Sequence, residues 1–389
     1  MGRKGFLQLL GGGVVLAAGL GAAAWNGAAM PEAATAAWRD AGGETDARRF
    51  VLAHALLAPN PHNMQPWIAD LGTEGQIGLR LDTARLLPAT DPFGRQILMG
   101  AGAFLELLAM AAAARGYRAE IGLFPDGAPG ERLDGKRFAV VRLVADASVT
   151  RDPLFAHVFG RRTDRRGYDL GRALTPEDAA ALAAAAGSGL RFGLAGGADP
   201  KVEAIRAIAR EAWRIELATA ATMMESMRVL RVGGAEINRH RDGIAITDPL
   251  LFVLAKLGLF DRSAPPAIES AAMRKQIADF DAITAATPGY LWIVSEGNSR
   301  AQQIAAGRTF VRVALAGQGR GLVMHPNEQS LQEYAEVAAP YRAIHALIGG
   351  GGTVQMRARV GALPAGTAAA GPAPRRGLPA LLGAETLPS

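Results

Sequence analysis

Apolar residues recur at helical spacing from Thr45 to Leu57, and the pattern stops at a turn carrying Pro59 and Pro61. Short runs of strand character follow at Trp67–Leu71 and Ile77–Leu81. Ile97–Arg115 is almost wholly apolar, long enough for a buried helix, and Gly116 stops it. Tyr117–Phe124 and Phe138–Ala145 again read as strands, separated by turn residues Asp126, Gly127 and Gly130. A short helix ends over Phe155–Gly160. Thr175-Pro176-Glu177-Asp178 starts another, with Thr175 as cap, Pro176 at the first helical position and Asp178 three residues after the cap. Glu203–Arg228 reads as one long helix with Trp213, Met223, Met224 and Met227 as packing residues. Tyr290–Ser295 is a strand, Arg300–Gly319 a helix and Thr353–Val360 a strand. Beyond Gly361 the chain is rich in Pro, Ala and Gly and is expected to form a mostly extended arm.

The two halves echo each other. Leu108–Tyr117 and Val313–Leu322 are both Ala-rich helix ends closing on Arg-Gly, and each leads to a proline with an acid close behind: Pro125-Asp126 and Pro326-Asn327-Glu328. The matching order of elements around them points to an internal duplication.

Composition narrows the function classes. The chain has 389 residues, 49% hydrophobic and 20% charged, as a globular chain should. Its formal net charge is +6, but arginines are scattered among acids and no Lys/Arg run exceeds two residues. That argues against nucleic acid and leaves phosphate-bearing small ligands to explain the local arginine clusters. There are no cysteines, which removes disulfides, thiolate metal sites and a thiol nucleophile. No histidine and carboxylate grouping has metal-ligand spacing, no nucleophile elbow appears, and no phosphate loop of the Gly-x-x-x-x-Gly-Lys type is present. Gly349–Gly352 precedes a strand and reads as a turn.

The first 30 residues have the character of a targeting segment. Arg3 and Lys4 precede an apolar stretch, Phe6–Trp25, with small-residue cleavage candidates at Ala22-Ala23-Ala24 and Gly27-Ala28-Ala29. Arg3-Lys4-Gly5-Phe6-Leu7-Gln8 resembles the twin-arginine export motif with Lys for the second Arg. The stretch is also just long enough to be a retained membrane anchor.

Two polar segments carry the candidate chemistry. Asn60, His62, Asn63 and Gln65 sit between Pro59, Pro61 and Pro66 on a loop joining helix to strand, where a stiff backbone could present polar groups to a flat heteroaromatic ring. Structural turn bonding by Asn63 and Gln65 explains the same residues. In Arg161-Arg162-Thr163-Asp164-Arg165, an extended backbone would point Arg161, Thr163 and Arg165 the same way, a donor set suited to a phosphate monoester. A solvated loop pairing with Asp152, Asp164 and Asp169 is the alternative.

Taken together these segments resemble the flavin signatures of the nitroreductase family, in its long Acg-like branch, and the resemblance runs from about Thr45 to Leu382. His62-Asn63-Met64-Gln65-Pro66-Trp67 matches that branch's flavin-ring loop, which implies contacts from Asn60, Pro61, His62, Asn63 and Gln65. Arg161, Thr163 and Arg165 match the phosphate segment, with Tyr168 near its aromatic position. Pro326-Asn327-Glu328-Gln329 resembles the Pro-x-Glu-Gly that lies over the polar edge of the ring, with Gln329 for Gly. Arg375 and Arg376 resemble the C-terminal basic pair.

The family implies flavin mononucleotide (FMN), an α+β fold and two related lobes forming a pseudo-dimer, each with a mainly antiparallel sheet flanked by helices. Simple nitroreductases build each site from two subunits. Here the first half has the ring loop but carries Arg48-Arg49-Phe50 in place of the phosphate segment, and the second half has the phosphate segment but no ring loop after Ala179–Phe192. One complete site and a degenerate mirror image are therefore expected, in a monomer.

The implied division is an export signal or anchor over 1–30, lobes over 45–150 and 151–362, and an arm over 363–389. The implied activity is FMN-dependent reduction of a nitroaromatic, quinone or similar small aromatic acceptor, with NAD(P)H as donor and the flavin itself as the reactive group. His62 is a weak candidate for an acid, and no metal is expected. Export would place the protein in the periplasm or on the membrane through residues 6–25. The competing reading is a flavin-binding or sequestering protein with little turnover, in which Asn238–Gly243 forms a lid.

Overall fold

A computed structural model describes residue 21 and residues 23–384. Most of the apolar leader, including the residues that resemble an export motif and part of the first cleavage candidate, lies outside the described residues.

The first lobe begins with helix α1 (Ala47–Ala55), whose cap Asp46 accepts a hydrogen bond from the Arg49 backbone. Strands β1 (Trp67–Asp70) and β2 (Gln76–Leu81) follow, joined by a short turn at Gly75. Helix α2 (Arg95–Ala113) ends at Gly116, whose φ of 75° turns the chain into β3 (Tyr117–Leu123). Strand β4 (Arg137–Ala145) completes a four-stranded antiparallel sheet in the order β1-β2-β4-β3.

The second lobe repeats this plan. Helix α3 (Pro176–Ala186) opens with the Thr175/Asp178 capping box that the sequence predicts. Strand β5 (Arg191–Gly196) leads into an insertion: α4 (Pro200–Ala218), α5 (Ala220–Arg228), β6 (Leu230–Val232), α6 (Gly233–His240), β7 (Ile244–Ile246), α7 (Pro249–Lys256) and α8 (Ala271–Ala285). The sheet resumes with β8 (Gly289–Ser295), and helix α9 (Arg300–Gly319) turns at Gly321 (φ 70°) into β9 (Val323–Pro326). After α10 (Ala338–Ile344) and β10 (Thr353–Gly361), the C-terminal arm carries a short helix α11 (Gly377–Leu381). The strand order is β5-β8-β10-β9, again antiparallel. Both sheets thus run first, second, fourth, third, with the long helix between the second and third strands. The protein is an α+β pseudo-dimer of two related lobes.

The two long helices form the seam. α2 is apolar enough to cross a membrane, but it is buried as the central helix of the fold. Its Gly102 lies against the backbone of Ile304 on α9, and Gly307 of α9 lies against Met99 of α2, so a β-carbon at either position would collide with a carbonyl. Reciprocal glycines let the backbones touch where two larger residues would hold the lobes apart. Glu106, buried on α2, binds Arg308 and Arg312 of α9 at 2.7 and 2.8 Å.

Several expectations need correction. Glu203–Arg228 is two helices, broken at Thr219, where the backbone is extended (φ −83°, ψ 110°). The Thr219 hydroxyl bonds back to Ile215 O, and Thr222 Oγ1 takes up the Glu216 and Thr219 carbonyls, so the break leaves these carbonyls satisfied. Strands β5, β6, β7 and β9 were not anticipated. Three of them span only three or four residues, too short for an alternating pattern to stand out.

Candidate functional site

The proline loop is built under backbone strain. His62, Asn63 and Gln65 all have positive φ (46°, 54° and 49°), the left-handed region that non-glycine residues rarely enter. Three such residues within four positions persist only where the surroundings enforce them. Part of the enforcement is local. Asn60 Oδ1 accepts from Gln65 N at 2.8 Å and Asn60 Nδ2 donates to Ala58 O. Trp67 at the start of β1 packs on Phe104 of α2 with ring centroids 4.8 Å apart.

The rest comes from distant segments. Asn63 Nδ2 donates to Pro374 O at 3.0 Å, while Arg375 Nη1 donates to Asn63 Oδ1 at 2.7 Å. Gln65 Oε1 accepts from Arg376 N, and Gln65 Nε2 donates to Arg241 O at 2.9 Å. Gly243 N donates to Asn63 O. Met64 packs with Leu87, Val229 and Ile244 in a small core of its own. The amides of Asn63 and Gln65 therefore clamp the C-terminal arm and the insertion onto the loop. Arg241 stands at positive φ beside Asp242, which is fully buried between Arg85 and Arg231.

A cluster of cations adjoins the loop. Arg375 is buried and collects the last carbonyls of the α1 end: Nε to Leu56 O at 2.9 Å, Nη2 to Leu57 O at 3.0 Å and to Ala58 O at 3.2 Å. These are carbonyls that a helix C-terminus leaves unbonded, and their partial negative charge suits a guanidinium. Arg161 Nη2 reaches Leu57 O at 3.3 Å. The Trp38 ring lies under three guanidiniums, with Arg162 at 4.7 Å, Arg375 at 5.1 Å and Arg161 at 6.0 Å from its centroid. Burial lowers Arg161 to about 10, helped by the charge of Arg162, and lowers Arg375 to about 9, helped by Arg161 and Arg162. Among the described residues none of the three forms an ion pair. Cations this buried and unpaired are costly, and a bound anion would relieve the cost.

Arg161, Thr163 and Arg165 differ in burial: Arg161 is buried with its guanidinium over the Trp38 ring, whereas Thr163 and Arg165 are exposed. The segment docks on β9: Thr163 forms a parallel bridge with Met324, and Asp164 N donates to Met324 O at 3.1 Å. Asp164 is buried and paired with Arg166 at 2.6 Å. Arg165 is open to solvent yet crowded by protein, the position of a guanidinium standing in a cleft. Its charge bears on two histidines from opposite lobes. Burial, and then Arg165, brings His62 down to about 4. Burial, with Arg359, Arg165 and Arg357, holds His325 well below its ordinary value. Both rings are neutral near pH 7.

The Pro326–Gln329 segment closes the other side. Glu328 Oε1 accepts from Arg357 N at 2.7 Å, and its Oε2 lies 3.9 Å from Arg95 of α2, across the seam. Burial raises the Glu328 carboxyl to about 7 against the pull of Arg95. Asn327 Nδ2 donates to Gln329 Oε1 at 2.7 Å. His62 Nδ1, Asn327 Oδ1, Glu328 Oε2 and Ser330 Oγ are buried without a hydrogen-bond partner. Native interiors rarely leave buried polar atoms unmet. Of the residues singled out in the sequence, the structure gathers the loop, the 161–165 segment and the basic arm. Glu328 sits near the β9 end. Trp38, Arg95 and His325 were missed; of these, His325 alone had a signal, being adjacent to Pro326.

No family model matches the chain. Curated relatives do. "Putative NAD(P)H nitroreductase Rv3131" of Mycobacterium tuberculosis is 27% identical over 340 residues, covering 85% of this chain and 89% of that protein. The chain is similar to this nitroreductase over most of its length. "Putative NAD(P)H nitroreductase acg" of the same organism is 34% identical over 121 residues, covering 31% of this chain and 35% of that protein. Two solved structures overlay loosely: a nitroreductase with bound FMN from Bacteroides fragilis (10% identity, 57% of this chain, 93% of that chain, TM-score 0.33), and the FMN-dependent nitroreductase NfnB from Mycobacterium smegmatis in complex with NADPH (14%, 59%, 90%, TM-score 0.31). Overlays this loose place no residue.

Proposed function

We propose that this protein is an FMN-dependent oxidoreductase of nitroreductase type, with one flavin at the seam of its lobes. The observation that carries the reading is the convergence of the strained Asn60–Trp67 loop, the 161–165 segment and the Pro374–Arg376 arm around Arg161, Arg162 and Arg375, for which no acidic partner occurs among the described residues. The residues fit a phosphate-bearing heteroaromatic. Arg161 and Arg162 would meet the phosphate, with Arg375 fixing the loop beside it. His62, Asn327 and Glu328 offer unmatched polar atoms for the edge of a ring.

When bound, FMN would accept a hydride and pass electrons to a nitroaromatic, quinone or similar acceptor, with NAD(P)H as the proposed donor. The chain's own residues bind, orient and shield. His62 and His325, held neutral, can take or give a hydrogen bond without adding charge beside Arg165. Glu328, near 7, can hold a proton at neutral pH.

The second reading, flavin binding with little turnover, is favoured by one observation. The insertion lies directly on the loop through Gln65–Arg241 and Asn63–Gly243, and would limit access to the ring. Steady-state oxidation of NAD(P)H with menadione separates the two: turnover supports the reductase, and a yellow protein without turnover supports sequestration. A colourless purified protein that takes up no added FMN would sink both. We further propose export and a monomeric state. Light scattering on the purified protein tests the latter, and an obligate dimer would contradict it.

A further inference from the structure

The large exposed apolar side chains of the described residues concentrate in one place. Trp25 is 68% exposed, and Leu250, Leu257 and Leu259 on and after α7 are 69%, 66% and 69% exposed. α7 reads Pro-Leu-Leu-Phe-Val-Leu-Ala-Lys and buries none of its residues fully, an unusual fate for so apolar a helix. Its Phe252 fixes it to the end of the leader. A β-carbon on Gly27 would lie 2.6 Å from the Phe252 ring, and one on Gly234 would lie 2.8 Å from Ala29 O. Ala28 is buried there. The last turn of the apolar leader is thus packed against α6 and α7, and Trp25 emerges two residues before that contact.

We propose that α7 with Leu257, Leu259 and Trp25 is a membrane-contact face that rests on the bilayer where the leader enters it. Three observations select a bilayer as the occupant. The patch is continuous with a run, residues 5–31, that carries no charged side chain. An apolar segment of that length can cross or enter a membrane. Lys256 lies beside the patch with its Nζ 5.6 Å over the Phe252 ring, placing a cation where anionic headgroups would sit. Trp at the edge of such a face matches the preference of indoles for the headgroup level. The packing of Gly27–Ala29 into the fold also means that a chain cleaved after Ala29 would lose part of the seat of Phe252.

The chain has no cysteine, so a single Leu257→Cys in the full-length protein can carry an environment-sensitive fluorophore. Leu170→Cys, at another exposed leucine, is the control. Adding vesicles of phosphatidylethanolamine and phosphatidylglycerol should blue-shift the label at position 257 severalfold more than that at 170, and brominated lipid should quench only the former. Adding Leu250→Ser and Leu259→Ser should remove the shift while leaving the circular dichroism unchanged. A label at 257 that vesicles do not alter overturns the proposal. So does one already shielded from iodide without vesicles, which would mean the chain's own leader covers α7. Shielding that grows with protein concentration would mean a second copy covers it, and also overturns it.

Discussion

The two lobes share a strand order and a long central helix, yet they differ at the same topological point. In the first lobe β1 and β2 are joined by a turn at Gly75; in the second, β5 and β8 are separated by residues 197–288. The short connection leaves the first sheet a plain scaffold whose chemistry sits ahead of β1, in the Asn60–Trp67 loop. The long one becomes a clamp. Arg241 and Gly243 reach across to the first lobe and fix that loop through Gln65 and Asn63. On the proposed reading, the lobes have also kept opposite halves of one site. The cations of the second lobe and arm gather at Arg161, Arg162 and Arg375. Arg48 and Arg49 of the first lobe bind the carbonyls of Leu71 and Thr73 and the carboxylate of Glu44 instead. The two lobes thus differ in how their arginines are used while the glycines at the seam stay reciprocal.

That contrast can be broken at the seam, in the site or in the insertion. Gly307→Val should have the largest effect. Its side chain would collide with the Met99 backbone, and overpacking a seam without a flexible neighbour should cost about 3 kcal/mol or more. A large fall in melting temperature with loss of flavin checks it, and near wild-type stability would show that the lobes are not held by this contact.

Next comes Arg161→Ala with Arg162→Ala. Each lost charge-assisted contact should weaken FMN binding by about 1.5–3 kcal/mol, and riboflavin, lacking phosphate, should be little affected. Flavin titration of the apoprotein measures both. Arg375→Ala makes a poorer test, because it also unfastens the arm from Leu56, Leu57 and Ala58.

Smaller still is a pH effect in the insertion. Glu216 on α4 is buried, and burial first, then Glu225, raises its carboxyl to about 7. Because the folded value lies above the ordinary 4.5, its contribution is fully present below about pH 4.5 and is lost as pH rises through about 7. Glu216→Gln should therefore stabilise the protein at pH 8 by on the order of 1 kcal/mol or more and change little at pH 4.5. Denaturant midpoints at the two pH values decide it, and an equal shift at both would remove titration as the cause.

The seam and the proline loop were legible in the sequence because their signals are local. Ile97–Arg115 and Arg300–Gly319 are long periodic segments, and three prolines bracket Asn60–Trp67. The lobe echo was visible at Arg115-Gly116 and Arg320-Gly321, where both helices turn into strands. What was not legible depends on distant partners. Nothing around Trp38 marks it as the floor of a cation cluster built from residues 161, 162 and 375. Asn63 and Gln65 showed their amides but not that these bind Pro374, Arg376 and Arg241. The docking of residues 163 and 164 on β9 was hidden because that strand has four residues and almost no pattern of its own.

Released FMN, measured against protein in the same denatured sample, tests the central claim most directly. One functional seam site built from halves of two lobes predicts one FMN per chain after reconstitution with excess flavin. Two per chain would contradict the divergence of the lobes, and none would contradict the site itself.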